Sequence, residues 1–147
     1  KAVCFKEAME PAFADYARQI VNNCKALEGA MKDNLRLVSG GTDTHLLLID
    51  LQQKITGKEA EAALNEAGIT VNKNTIPYDS RKPFDPSGIR LGTPTLTSRG
   101  MKEQEMQLVA EWIIDIMRNP NDAALKQTVR KQVIELCERF PIYPELG

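Results

Sequence analysis

A chain of 147 residues with 42% apolar content can bury one substantial core, and its 19 basic and 20 acidic side chains leave a formal net charge of -1. That balance, with only 5% aromatic residues, carries no electrostatic footprint of a protein that binds nucleic acid or an anionic membrane. The cysteines Cys4, Cys24 and Cys137 form no CxxC pair and no cluster with the single histidine, so neither a disulfide framework nor a metal site is expected, and a reducing cytoplasm fits best. The longest apolar stretch, residues 46–49, falls far short of the roughly 20 residues a membrane helix needs, and the first residues lack the apolar core expected of a signal peptide. An apolar-periodic segment begins almost at once after Lys1, as if the chain were cut from something longer.

Over residues 5–31 the apolar side chains Phe5, Met9, Phe13, Tyr16, Ile20, Val21, Cys24 and Leu27 recur every three or four positions, which predicts a long amphipathic helix. Pro11 lies inside the pattern, so a kink or restart near Glu10 is expected. The stripe is wider than one small sheet needs, which suggests that part of it faces another domain. Residues 35–38 and 45–51 read as the strands of a hairpin around Ser39-Gly40-Gly41-Thr42-Asp43. The second of these does not alternate, which implies burial on both faces or against helices.

Thr56 and Glu59 form a capping box for a helix over residues 57–67, with Gly68 as its left-handed exit. Residues 69–71 then read as a third strand. Residues 72–88, with Pro77, Pro83 and Pro86, read as a loop of 17 residues, longer than the roughly 12 to 15 usual for a structureless connection and therefore suspected of function. A short strand at residues 89–91 follows. A long helix starts at Thr97 or Ser98 and ends near Asn119-Pro120, and a last one is stopped by Pro141. The economical arrangement is an α/β domain of the α+β type, with a partly antiparallel sheet of about four strands covered by helices.

Among candidate functional residues, Arg90 stands between Ile89 and Leu91, so on a strand it points to the face opposite theirs, toward a cleft. Its guanidinium matches a carboxylate with two parallel donors, a geometry lysine cannot copy. The alternative is a solvated arginine on an edge strand. Asn72, Lys73, Asn74, Tyr78, Asp79, Arg81 and Lys82 either grip an anionic or amide-rich ligand or are an ordinary polar loop. His45, with Asp43 nearby, reads better as a structural residue opening a strand than as a catalytic one. Ser39-Gly40-Gly41-Thr42 lacks the spacing of a phosphate loop and reads as a turn. Trp112 and the methionines at helical spacing read as core.

Four strings then carry a resemblance: residues 37–46 (LVSGGTDTHL), 56–60 (TGKEA), 68–77 (GITVNKNTIP) and 87–94 (SGIRLGTP). In this order they resemble the C-terminal third of serine hydroxymethyltransferases, and the opening and closing segments extend the similarity over essentially the whole chain. The resemblance implies the small C-terminal domain of a fold-type I pyridoxal-phosphate enzyme, with residues 1–33 as a long interdomain helix region and 34–147 as the sheet and its covering helices. It implies interconversion of serine plus tetrahydrofolate with glycine plus methylenetetrahydrofolate, in a cytoplasmic homodimer. Arg90 would pair with the amino-acid carboxylate and so fix the bond to be broken perpendicular to the cofactor ring. The family's folate contacts map onto Asn74 and onto Lys82, Pro83 and Phe84. Many bacterial members have serine where Lys82 stands, a change that a backbone contact tolerates and a side-chain contact does not.

Nothing like the family's motif around the Schiff-base lysine occurs in the chain, and no residue here is assigned to catalysis, to the cofactor or to a metal. Pyridoxal phosphate would be bound mainly by a large domain outside this chain, and the chain alone is expected to be inactive. Two other readings compete: another fold-type I enzyme such as an aminotransferase, and a self-standing interaction module that grips a partner with its first helix.

Overall fold

Pro11 divides the first apolar-periodic segment in the computed structural model, which describes residues 1–52 and 54–143. Helix α1 (Ala2–Ala8) ends, Glu10 is extended, and α2 (Pro11–Met31) restarts with the proline in its first turn, where no backbone donor is required. α1 buries nothing, and Val3, Phe5 and Met9 stand exposed, so Met9 departs from the expectation that the methionines are core. Met31, Met101, Met106 and Trp112 are buried as expected.

The hairpin forms between β1 (Arg36–Leu37) and β2 (Leu46–Asp50), with Leu37 opposite Ile49. Its first strand is shorter than expected, because the chain turns at Val38–Gly40 and Ser39 adopts a φ of 61°. Glu28 on α2 holds this turn by accepting a hydrogen bond from the Thr42 N–H at 3.0 Å. The Thr56 capping box starts α3 (Gly57–Glu66). At its end Gly68 N–H bonds Asn65 O and Ile69 N–H bonds Leu64 O, which is a Schellman closure.

That closure explains why residues 69–71 are not the third strand. Ile69 is used to finish the helix and Val71 is buried, so pairing begins only at β3 (Asn72–Asn74), where the chain comes alongside β4 (Gly88–Gly92). The long loop is correspondingly residues 75–87. The predicted helix beginning at Thr97 or Ser98 is two helices, α4 (Pro94–Ser98) and α5 (Glu103–Arg118). They are separated by a second Schellman closure, in which Gly100 N–H bonds Thr97 O and Met101 N–H bonds Leu96 O. Asp122 caps α6 (Ala123–Arg139). Residues 144–147, the end of the expected 34–147 unit, lie outside the described residues.

The four strands are ordered β1-β2-β4-β3, every neighbouring pair antiparallel. The register puts Leu37, Leu47, Ile49, Ile89 and Leu91 on one face, all buried in the core with residues of α2, α3 and α5. Burying each such side chain contributes about 1.5–3 kcal/mol. The apolar run in β2 therefore serves one covered face only, and Leu46 and Leu48 lie half-buried on the other.

Candidate functional site

The uncovered face is built from the alternate residues of the same strands. Across it, Asn72 of β3, Arg90 of β4 and Leu48 of β2 lie directly opposite one another. Asn74, Gly88, Asp50 and Arg36 form the next row. Arg90 thus points away from the core, as its neighbours Ile89 and Leu91 require. It does so from an interior strand, which rules out the edge-strand placement considered above.

Its same-face neighbours along β4 are both glycines, Gly88 and Gly92, so no side chain of its own strand crowds the guanidinium. Arg90 is exposed, and among the described residues nothing hydrogen-bonds or ion-pairs with its guanidinium. Arg36, the other arginine on this face, is held by Asp50 at 3.1 Å. A free guanidinium on a rigid ladder can present its parallel donors to a carboxylate without first giving up a partner.

Asn74 shares the face with Arg90 on the adjacent strand, diagonally displaced by about 7–8 Å. Its side-chain amide donates to Thr75 O at 2.7 Å, leaving the amide oxygen for another donor. Lys82, Pro83 and Phe84 form a β-turn at the tip of the loop, with proline in its preferred second position and Asp85 N–H bonding Lys82 O at 2.9 Å. All three are exposed, and the Lys82 ammonium lies 5.9 Å from the centre of the Phe84 ring.

Several loop residues weighed as ligand donors are engaged within the chain. Glu61 of α3 accepts from the Lys73 N–H at 3.1 Å and from its ammonium at 3.0 Å, and these bonds, the N–H foremost, lower the Glu61 pKa. Arg81 pairs with Asp85 and bonds its carbonyl. Asp79 accepts from Ser87 Oγ at 2.6 Å, Ser87 N at 2.9 Å, Arg81 N at 2.9 Å and Ile76 N at 3.3 Å. The Ser87 hydroxyl above all, against some desolvation, holds the Asp79 carboxyl far below the usual carboxylate range. The loop is therefore an organised structure, and Asp79 with Ser87 is the pair that local sequence reasoning missed. Asp79 stands out in the sequence only as one polar residue of the loop, and nothing local points to the partner eight residues on.

A polar hollow of about 450 Å³ opens beside this loop and is lined by Arg36, Asp50, Ser80 and Ser87 among others. A hollow of about 660 Å³ between α2 and α5 contains none of the candidate residues. His45 is exposed, lines a separate apolar hollow with Ala17, Ile20 and Val21, and bonds Thr93 N–H only through its carbonyl. Among the described residues no group of three or more histidine, cysteine or acidic side chains could hold a metal, and no helix is long and apolar enough to cross a membrane.

The family model of serine hydroxymethyltransferase matches residues 1–113. The chain belongs to the serine hydroxymethyltransferase family. It is 57% identical over 147 residues to the serine hydroxymethyltransferase of Koribacter versatilis, covering 99% of this chain and 34% of that protein. Serine hydroxymethyltransferases of Acidobacterium capsulatum and Methanospirillum hungatei are 53% and 52% identical, over 97% and 99% of this chain and 34% and 36% of their own lengths. The chain thus spans about a third of the length of the curated serine hydroxymethyltransferases it matches.

Proposed function

We propose that this chain is the C-terminal part of an enzyme that interconverts serine plus tetrahydrofolate with glycine plus methylenetetrahydrofolate, and that Arg90 holds the amino-acid carboxylate. The observation that carries this reading is the exposed, unengaged guanidinium of Arg90 on an interior strand, flanked on its own face by Gly88 and Gly92. A carboxylate gripped there by two parallel bonds is fixed in orientation as well as position, which is what a reaction at the adjoining carbon requires. Asn74 and the Lys82-Pro83-Phe84 turn, on the strand and loop beside it, are the folate contacts in this reading, with the backbone carrying the contact at Lys82.

Pyridoxal phosphate, implied by the family, does not fit the hollow that holds Lys54 and Lys126. The hollow containing Lys54 and Lys126 also contains Glu59 and Glu66, and Lys126 is already paired with Glu66, so an incoming phosphate would meet carboxylates. In this reading the cofactor is bound mainly by a large domain outside this chain. Residues 1–33 lead toward that domain, which agrees with the exposed Val3, Phe5 and Met9. The complete enzyme is read as a cytoplasmic homodimer, in keeping with free thiols at Cys4, Cys24 and Cys137.

The test is Arg90→Lys in the full-length enzyme. Replacing two parallel charge-assisted bonds by a point charge should raise the KM for serine by about 10- to 100-fold and lower kcat, with pyridoxal phosphate retained. Unchanged steady-state kinetics would remove Arg90 from the site.

A further inference from the structure

The 13 residues between Asn74 and Gly88 leave the sheet and return to it, and the turn assigned above to folate is at the far end of that excursion. We propose that Asp79 is a positioning residue for the tetrahydrofolate subsite: its carboxylate ties Ile76, Arg81 and Ser87 together and so sets the Lys82-Pro83-Phe84 turn before the ligand arrives. This inference rests on the functional reading given above.

Two nested closures support it. The outer one is Asp79, whose two oxygens share four donors: Oδ1 takes Arg81 N and Ser87 Oγ, and Oδ2 takes Ile76 N and Ser87 N. It joins the outgoing limb of the loop to the residue immediately before β4. The inner one is Arg81, whose guanidinium bonds both the carbonyl and the carboxylate of Asp85 and so brackets residues 82–84. Arg81 is itself held by Asp79 through its N–H, so the inner bracket hangs from the outer clamp.

The turn they support presents Phe84 with 70% of its surface in solvent. An exposed aromatic ring on a braced turn is an apolar platform suited to a flat ring, and bracing lowers the ordering cost of binding. Arg90 does not depend on this clamp. Its strand is held from Gly88 to Gly92 by β2 and, through Gly88, Ile89 and Arg90, by β3. Loosening the loop should therefore weaken folate binding while sparing the carboxylate site.

Asp79→Asn puts an NH2 group where one oxygen received two donors, and Ser87→Ala removes a single donor. Both would be made in the full-length enzyme. Tetrahydrofolate affinity would be measured by calorimetry with glycine present, serine affinity by spectral titration without folate, and loop closure by tryptic nicking at the Arg81–Lys82 bond. The expected result is a loss of tetrahydrofolate affinity of about tenfold or more for Asp79→Asn and about two- to fivefold for Ser87→Ala. Serine affinity should stay within about twofold, because its proposed anchor is on the ladder, and nicking should be faster in both variants. Unchanged tetrahydrofolate affinity in both variants overturns the proposal, as do equal losses for serine and tetrahydrofolate, which would make Asp79 a general structural support. Wild-type enzyme that fails to bind tetrahydrofolate would instead remove the functional reading on which the proposal stands.

Discussion

Gly88 sets how close β4 lies to its neighbours, and Gly88→Ala should destabilise the domain through backbone contacts that cannot swing aside. A Cβ at this position would be 2.7 Å from the Ile49 carbonyl oxygen, 2.7 Å from Ile76 Cγ2 and 3.0 Å from the Asn74 carbonyl oxygen. Ordinary van der Waals contact for a Cβ begins at 3.4 Å, so β2 would have to retreat by about 0.7 Å. Overpacking of this kind costs about 1–3 kcal/mol. With a urea dependence of about 1–3 kcal/mol per molar, the unfolding midpoint of this chain should fall by about 1 M with an unchanged slope. Gly29→Ala on α2 is the matched control. Its Cβ meets nothing within 4 Å, so the same chemical change should stabilise by about 0.5–1 kcal/mol. A Gly88→Ala midpoint equal to or above wild type would refute the close-approach argument, and with it the view that the strand spacing beside Arg90 is tightly set.

Thr56→Ala removes the hydroxyl that accepts Glu59 N–H at 3.1 Å and should cost about 1 kcal/mol, read as a fall in Tm of about 2–4 °C. The pKa values of Asp79, Asp85 and Glu61 are lowered in the folded state by Ser87, by Arg81 and by Lys73 N–H, respectively. Their contribution is present above their unfolded values and is lost as pH falls from about 5 through 4 toward the folded ones, so the urea midpoint should drop over that range. Asp79→Asn should flatten that acid slope, and an unchanged slope would show that Asp79 does not carry it. The isolated 147-residue chain, mixed with pyridoxal phosphate and desalted, should keep no visible absorbance band. A band that survives desalting would place a cofactor anchor within this chain.

The helices were legible because their ends carry local chemistry: Pro11, the Thr56–Glu59 box, Gly68 and Pro141 all act where the sequence suggests. The break between α4 and α5 was equally available in Ser98-Arg99-Gly100-Met101, where a left-handed glycine precedes an apolar residue, but the apolar period running past it masked the stop. β3 was not legible in the same way. Asn72-Lys73-Asn74 has no apolar alternation and becomes a strand only because β4 lies beside it. Arg90 shows both sides of this limit. Its face followed from Ile89 and Leu91, whereas its interior placement depends on strand order, a long-range property. Asp79 was recognisable as a polar loop residue, but its partnership with Ser87 depends on the path of the intervening chain. The assignments of Asn74, Lys82, Pro83 and Phe84 came from resemblance to a family rather than from any local signal.

The strand order has a consequence for how the protein is made. β4 follows both of its neighbours in the chain, so during synthesis β2 and β3 emerge with a vacant slot between them. Until residue 92 has cleared the ribosome, the Leu46–Asp50 strand has an unpaired, strongly apolar edge of the kind that recruits other chains into aggregates. The segment that closes the slot is the one that carries Arg90. Nascent chains stalled before residue 88 are then both without this arginine and prone to stick, whereas a few residues more complete the sheet and deliver the arginine together.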